Sequence, residues 1–219
     1  MRKISFVKGE YYHVYNRGVD KRSIFEDKED VLRFLKSIRV FNTIEIEGGI
    51  YAASLKNDTR SLAPKISKLV QFIAYCLNQN HYHFILKPLV EEGVQKFMHR
   101  LSTGYTNFFN EKYKRSGSLF QGPYKASYIR TNEQLLHTSV YVNLNDCAHG
   151  NLNKEWLFEL PFSSFKEYQG EIIDGLCNNS IIIDQYSCRE EYCNHAKSVL
   201  EDIIKRKDRE KILRKMLID

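Results

Sequence analysis

Two apolar, β-prone runs, Leu69–Leu77 and His81–Leu86, stand on either side of the polar residues Asn78-Gln79-Asn80. Three residues leave room for a tight connection and nothing more, so the segment is expected to be two strands joined by a turn. This constrains the side chains as well as the backbone. On a strand, residues i and i+2 point to one face, so His81 and His83 share a face, about 7 Å apart along the chain. Two imidazoles on one face can grip one metal ion. They do not complete a site, and the rest of the chain must supply a further ligand and a purpose.

Other segments read more simply. Glu10–Asn16 reads as a first strand, ended by Arg17-Gly18. Asp27 or Asp30 is placed to cap a helix running to about Phe41, with Val31, Phe34, Leu35 and Ile38 at helical spacing. Ile44–Leu55 is β-prone but broken by Gly48-Gly49, and Lys56–Lys65 has the composition of a loop. A long helix is expected from about Gly93 to Tyr113, with Val94, Phe97, Met98, Leu101, Tyr105, Phe108 and Phe109 as its apolar stripe. Leu119–Ile129 reads as a further strand. Thr131-Asn132-Glu133-Gln134 has the form of a capping box and opens a helix through about Cys147, ended near Gly150.

The order strand, helix, strand, strand, helix, strand is the split βαβ pattern of an α+β, ferredoxin-like sandwich. Such a sheet packs two helices on one face and leaves the other for a substrate or another helix. Residues 1–150 form this unit. Residues 151–219 read as an extension in which Trp156-Leu157-Phe158 and Pro161–Phe165 pack back on the core. A helical tail follows from about Arg189 and ends in the charge-rich Lys205–Lys215, where basic residues outnumber acids.

Charge and cysteine usage narrow the function. The net charge is +6, and between Lys96 and Arg130 the only acid is Glu111. Lys96, Arg100, Lys112, Lys114, Arg115, Lys125 and Arg130 alternate there with Phe97, Tyr105, Phe108, Phe109, Tyr113, Phe120, Tyr124 and Tyr128. Cations that neutralise phosphates, with rings that stack on bases, suit single-stranded nucleic acid. The five cysteines are scattered and odd in number, which argues against a disulfide framework. Cys188, Cys193 and His195 lack a CxxC pattern and a fourth ligand, so they read as ordinary helix residues. No run approaches the roughly 18 apolar residues of a membrane span, and Met1–Phe6 lacks a signal-peptide core. A cytoplasmic protein without membrane contact is expected.

The helix after the capping box carries the second part of the site. His137, Tyr141 and Asn145 are spaced by four and form one stripe, beside the apolar stripe Leu136, Val140 and Leu144 that is expected to bury against the sheet. A phenol with an ordinary pKa of about 10 is a poor nucleophile at neutral pH. A divalent cation changes this by polarising a phosphodiester and stabilising charge on its oxygens. Attack by Tyr141 then gives a phosphotyrosine and a free 3′-hydroxyl, and the conserved bond energy allows rejoining. Asn145 offers a neutral carbonyl oxygen as third ligand to His81 and His83. Such a set suits Mg²⁺ or Mn²⁺.

The chain resembles the single-tyrosine HUH transposases, in particular the REP-associated tyrosine transposases and their insertion-sequence relatives. The resemblance covers roughly residues 9–170. It rests on His13-Val14-Tyr15-Asn16-Arg17-Gly18, Asn80-His81-Tyr82-His83-Phe84-Ile85-Leu86 and Tyr105-Thr106-Asn107-Phe108-Phe109-Asn110. It rests also on Ser116-Gly117-Ser118-Leu119-Phe120-Gln121-Gly122, Tyr141-Val142-Asn143-Leu144-Asn145 and Pro161-Phe162-Ser163-Ser164. It implies a ferredoxin-like fold and His81, His83 and Asn145 as ligands, with Tyr141 as nucleophile. It also implies cleavage and rejoining of single-stranded DNA near hairpins through a 5′-phosphotyrosine. Arg17, Gln121 and the seven cations named above are the expected DNA contacts, with Asn80 and His137 in support. Asp146 stands where many members have proline. Pro123 stands where many have arginine, and Lys125 is the nearest substitute. An inactive relative that only binds structured single strands is the alternative reading; a structural domain with a fortuitous HxH is a third. Both monomer and homodimer are open, because insertion-sequence relatives exchange the tyrosine helix between subunits. The C-terminal extension leans toward a monomer.

Overall fold

In the computed structural model, which describes residues 4–45, 67–145, 162–171 and 175–216, the Asn78–His81 turn closes a hairpin of β2 (Val70–Asn78) and β3 (His81–Pro88). Residues Asn78 and His81 are its closing pair. β1 (Tyr11–Arg17) lies against the other side of β3, and β4 (Lys125–Ile129) against β1. The sheet order is β2-β3-β1-β4, with every neighbouring pair antiparallel. α1 (Lys28–Phe41) and α2 (Gly93–Lys112) are the two crossover helices. This is the expected ferredoxin-like α+β arrangement. Much of the Ile44–Leu55 segment, the Lys56–Lys65 loop and Trp156–Pro161 lie outside the described residues.

The strand pattern sorts the side chains between two cores. Tyr12, Val14, Phe72, Leu77, Tyr82, Phe84 and Leu86 face α1 and α2, where they meet Val31, Phe34, Ile38, Phe97, Leu101 and Tyr105. Ile73, Ala74, Cys76 and Ile85 face the opposite side. Ile73 and Ala74 are adjacent yet both belong to that second face, because a register irregularity between Phe72 and Ala74 interrupts the alternation. The second face is covered by α3 (Asn132–Asn143), α4 (Phe165–Gln169), α5 (Ser180–Ile183) and the long α6 (Arg189–Met216). No helix among the described residues is long and apolar enough to cross a membrane.

Two expectations are corrected here. The strand read as Leu119–Ile129 is only Lys125–Ile129. Phe120 makes a single bridge to Gly18, after which Gly122 takes a φ of +74° and Pro123 has no N–H for a ladder. Five of the eight aromatic residues interleaved with cations are not available for stacking. Phe97, Tyr105, Phe109, Phe120 and Tyr124 are buried in the first core. Gly18 is required where it is, since a Cβ there would sit 2.1 Å from the Arg22 carbonyl oxygen.

Both Asp27 and Asp30 start α1. Asp27 accepts from the Asp30 N–H, and Asp30 accepts from the Asp27 N–H. The same pair ties α1 to the end of α2. The Lys112 ammonium lies 2.8–2.9 Å from Asp27, Glu29 and Asp30, and Tyr113 donates to both aspartates. Asp30 is fully buried, so this cation balances a carboxylate that water cannot reach. Desolvation raises the Asp27 pKa, but bonding to Lys112 and the Asp30 N–H outweighs it and holds the carboxyl below its ordinary range. A lowered folded-state pKa contributes stability that is present at neutral pH and is lost on acidification through the carboxylate range. Lys112→Met is expected to lower stability in urea denaturation at pH 7 by about 2 kcal/mol, and to flatten the loss of stability between pH 5 and about 3.

Candidate active site

β3 is pinned by what lies between its histidines. Tyr82 is wholly buried, with its ring 4.6 Å from Phe84, 5.5 Å from Phe34 and 5.8 Å from Phe120. A residue so placed forces His81 and His83 onto the opposite face. The cross-strand rows on that face are Ala74–Ile85–His13–Ser127, Cys76–His83–Tyr15–Lys125 and Asn78–His81–Arg17. The polarity of the face therefore rises toward the turn end of the hairpin.

α3 brings Tyr141 and Asn145 to these rows. Thr131 caps it by accepting from the Gln134 N–H. The Gln134 side chain closes on the Arg130 N–H rather than on the cap residue itself, so the box is displaced by one position. Leu135, Ser139, Val140 and Val142 are buried, and the Tyr141 ring stands edge-on to His83 at 5.6 Å and to His13 at 5.9 Å. α3 ends at Asn143, and Leu144 leaves helical geometry at φ −113°; the expected continuation to Cys147 and Gly150 lies outside the described residues. Asn145 is helical again beyond this break, and its side chain meets His81. His137, expected on that stripe in support, is exposed and makes no hydrogen bond or ring contact with the histidines among the described residues.

The proton inventory at His81 shows what the arrangement can bind. Its Nδ1 lies 2.6 Å from Asn80 Oδ1, which only accepts, so Nδ1 carries the hydrogen. In the neutral ring Nε2 then holds a lone pair. That lone pair faces Asn145 Oδ1 at 3.2 Å, and the two share the Asn78 amide as donor, at 3.1 and 2.9 Å. Two adjacent ligands of an octahedral cation, each at about 2.1 Å, lie about 3 Å apart. Asn145 is fully buried, and its Nδ2 finds no acceptor among the described residues. The side chain gives up one hydrogen bond while aiming its oxygen at the histidine. His83 is oriented by His13, whose Nε2 is 2.8 Å from His83 Nδ1. Burial lowers the His13 pKa to about 4, so its ring is neutral at pH 7. In the tautomer where His13 Nε2 accepts from His83 Nδ1–H, the far nitrogen of His83 keeps its lone pair. The residues present fit a divalent cation held by two imidazoles and an amide oxygen. Among the described residues no trio of His, Cys, Asp or Glu side chains is arranged to hold a metal. His195 instead meets the Tyr186 hydroxyl at 2.7 Å, and Cys188 is exposed.

The nine expected DNA contacts are not equivalent. Arg17 and Lys125 lie on the site face, opposite His81 and Tyr15. Gln121 is joined to Arg17 by its side chain and by its N–H on the Arg17 carbonyl. Lys114 and Arg130 are exposed. Lys96 pairs with Glu92 one turn away, and Arg115 lies over Phe109. Arg100 holds the Thr43 and Ile44 carbonyls at the end of α1, and Lys112 serves the carboxylates described above. These two cations have structural partners, and the interface proposed below leaves them out.

Three residues of the site were not singled out as site residues by sequence reasoning: His13, Tyr15 and Asn78. The signal for the first two is the alternation His13, Tyr15, Arg17 on a strand whose other residues are buried. Asn78 is legible as the residue facing His81 across a two-residue turn.

Residues 48–145 match the family model described as transposase, IS200-like. The match spans 98 of the chain's 219 residues. The chain's fold is similar to a solved structure of a REP-associated tyrosine transposase bound to a REP hairpin, with a TM-score of 0.54, 13% identity, 80% of this chain covered and 88% of that one. At that identity the likeness is one of fold. No curated protein matches the chain.

Asn143, the first asparagine of Tyr-Val-Asn-Leu-Asn, is buried in a different role. It donates to the Tyr192 hydroxyl at 2.9 Å and accepts from Ser164 at 2.5 Å. Phe162–Ser164 in turn runs along the outer edge of β2 through bonds from Leu77 N–H and to the Tyr75 carbonyl. The tyrosine helix is thus tied to the sheet and to α6 of its own chain. Asn143→Ala leaves two buried hydroxyls short of a partner. It is expected to cost about 2 kcal/mol, measured by urea denaturation.

Proposed function

We propose that the protein is a metal-dependent single-stranded DNA endonuclease and strand transferase that acts near hairpins. The observation that carries this reading is the convergence of the His81 and Asn145 lone pairs at 3.2 Å, with Tyr141 beside His83. His81, His83 and Asn145 would hold Mg²⁺ or Mn²⁺. A bound cation of this kind supplies Lewis-acid polarisation of the scissile phosphate.

The chain's own groups do the rest. Tyr141 Oη forms a bond to phosphorus as the bond from phosphorus to the 3′ oxygen breaks. The phenolic proton leaves to solvent, and the departing 3′ oxygen takes a proton to become a hydroxyl. The DNA stays attached as a 5′-phosphotyrosine, so a second 3′-hydroxyl can reverse the step. Asn80 and His13 hold the two imidazoles in the tautomers that face the site. Arg17 and Lys125 place positive charge at its open side. A hairpin as the feature recognised is supported by the family match and by the fold it shares with a hairpin-bound relative. Tyr141 acts within its own chain, because Asn143 fastens its helix to Ser164 and Tyr192 of the same chain, and a monomer suffices.

The test is to incubate labelled hairpin oligonucleotides bearing single-stranded flanks with the protein and Mg²⁺ or Mn²⁺ and to separate the products on denaturing gels. A covalent protein–DNA band is expected; Tyr141→Phe abolishes it and EDTA prevents it. Persistence of the band in Tyr141→Phe overturns the nucleophile assignment. Hairpin binding without any adduct supports a binding-only relative instead.

A further inference from the structure

The helices of the second face do not cover the whole sheet. α3 stands over Ala74, Cys76 and Ile85 of β2 and β3, while Arg17, Lys125 and Ser127 of β1 and β4 remain exposed on the same face. Tyr15 occupies the centre of this open strip. It is directly opposite His83 on one side and Lys125 on the other. Its ring is near-parallel to His83 (5.5 Å, 22°) and to His13 (5.1 Å, 29°). Both imidazoles are in place before any ligand arrives, so the phenol ring is held upright at little entropic cost.

We propose that this strip is the path of the single strand next to the scissile phosphate, with Tyr15 as the platform for one base. The proposal rests on the reading given under Proposed function and names the substrate contacts of that same site. Its grounds are chemical. A flat ring flanked by both imidazoles, with its β4 side uncovered by any helix among the described residues, suits π-stacking, which every nucleobase can supply. Arg17 and Lys125 are diagonal neighbours on adjacent strands, about 7–8 Å apart at the backbone. They can therefore engage the phosphates on either side of one stacked nucleotide. Arg17 is held by the neutral Gln121 amide, and neither cation is taken up by an ion pair among the described residues. Phe97, Tyr105 and Phe109 of α2, by contrast, are buried and cannot stack on DNA.

The experiment places 2-aminopurine at successive positions of the single-stranded flank of a hairpin oligonucleotide and titrates each with the Tyr141→Phe protein, which binds without cleaving. One flank position is expected to lose fluorescence on binding. Tyr15→Phe keeps that quenching, and Tyr15→Ala abolishes it. Tyr15→Ala also weakens binding of the flanked hairpin about tenfold to a hundredfold while binding of the bare stem is unchanged. Lys125→Ala lowers the salt dependence of flank binding by about one phosphate contact. Quenching that survives Tyr15→Ala, or an equal loss of binding for flanked and bare hairpins, overturns the proposal. The two readings fail separately: wild-type protein that forms no adduct yet shows the Tyr15-dependent quenching retains the strand path and loses only the cleavage.

Discussion

The register of β3 is the constraint on which the site depends. Tyr82, Phe84 and Leu86 enter the aromatic core formed with α1 and α2, and burial of each such side chain contributes roughly 1.5–3 kcal/mol. A slip of one residue would place His81 and His83 in that core and Tyr82 on the polar face. The slip is excluded by several large rings together and does not require the histidines to contribute to folding. The hydrogen bonds of His81 and His83 are thus available to orient their rings.

The opposite face is held by a different set of contacts. α3 is anchored through Asn143 to Ser164 and Tyr192, and through Val140 and Val142 to the second core. The two asparagines of Tyr-Val-Asn-Leu-Asn divide the labour. Asn143 fixes where the helix lies, and Asn145, just past its end, reaches His81. Residues distant in sequence hold the proposed nucleophile: Ser164 and Tyr192 determine how Tyr141 meets a strand that folds around Tyr82. The half of the sheet left uncovered by this packing is where a polar ligand has access.

The fold was legible from periodicity. Alternation in β1, the tight turn between β2 and β3, and the apolar stripes of α1 and α2 are local signals, and each element formed close to its expected bounds. The errors arose where local patterns omit partners. Leu119–Tyr124 is β-prone, yet Gly122 and Pro123 break its ladder. The rings of α2 looked available for stacking because a sequence does not show which face a helix buries. Lys112 looked like a phosphate contact, but its charge is matched by carboxylates some 80 residues away. His81, His83, Tyr141 and Asn145 were named from spacing and family resemblance, and the structure brings their side chains together. His13 and Asn78 were passed over, because the signals that mark them gain meaning only once the strand register supplies their cross-strand neighbours.

The central claim is that the His81, His83 and Asn145 side chains form one cation site beside Tyr141. Anomalous scattering at the manganese edge from crystals soaked in Mn²⁺ tests it directly. The account predicts one strong peak within bonding distance of His81 Nε2, the outer nitrogen of His83 and Asn145 Oδ1, and its disappearance in His81→Ala. A peak bound by other residues, or no peak at a Mn²⁺ concentration that supports cleavage, would contradict it.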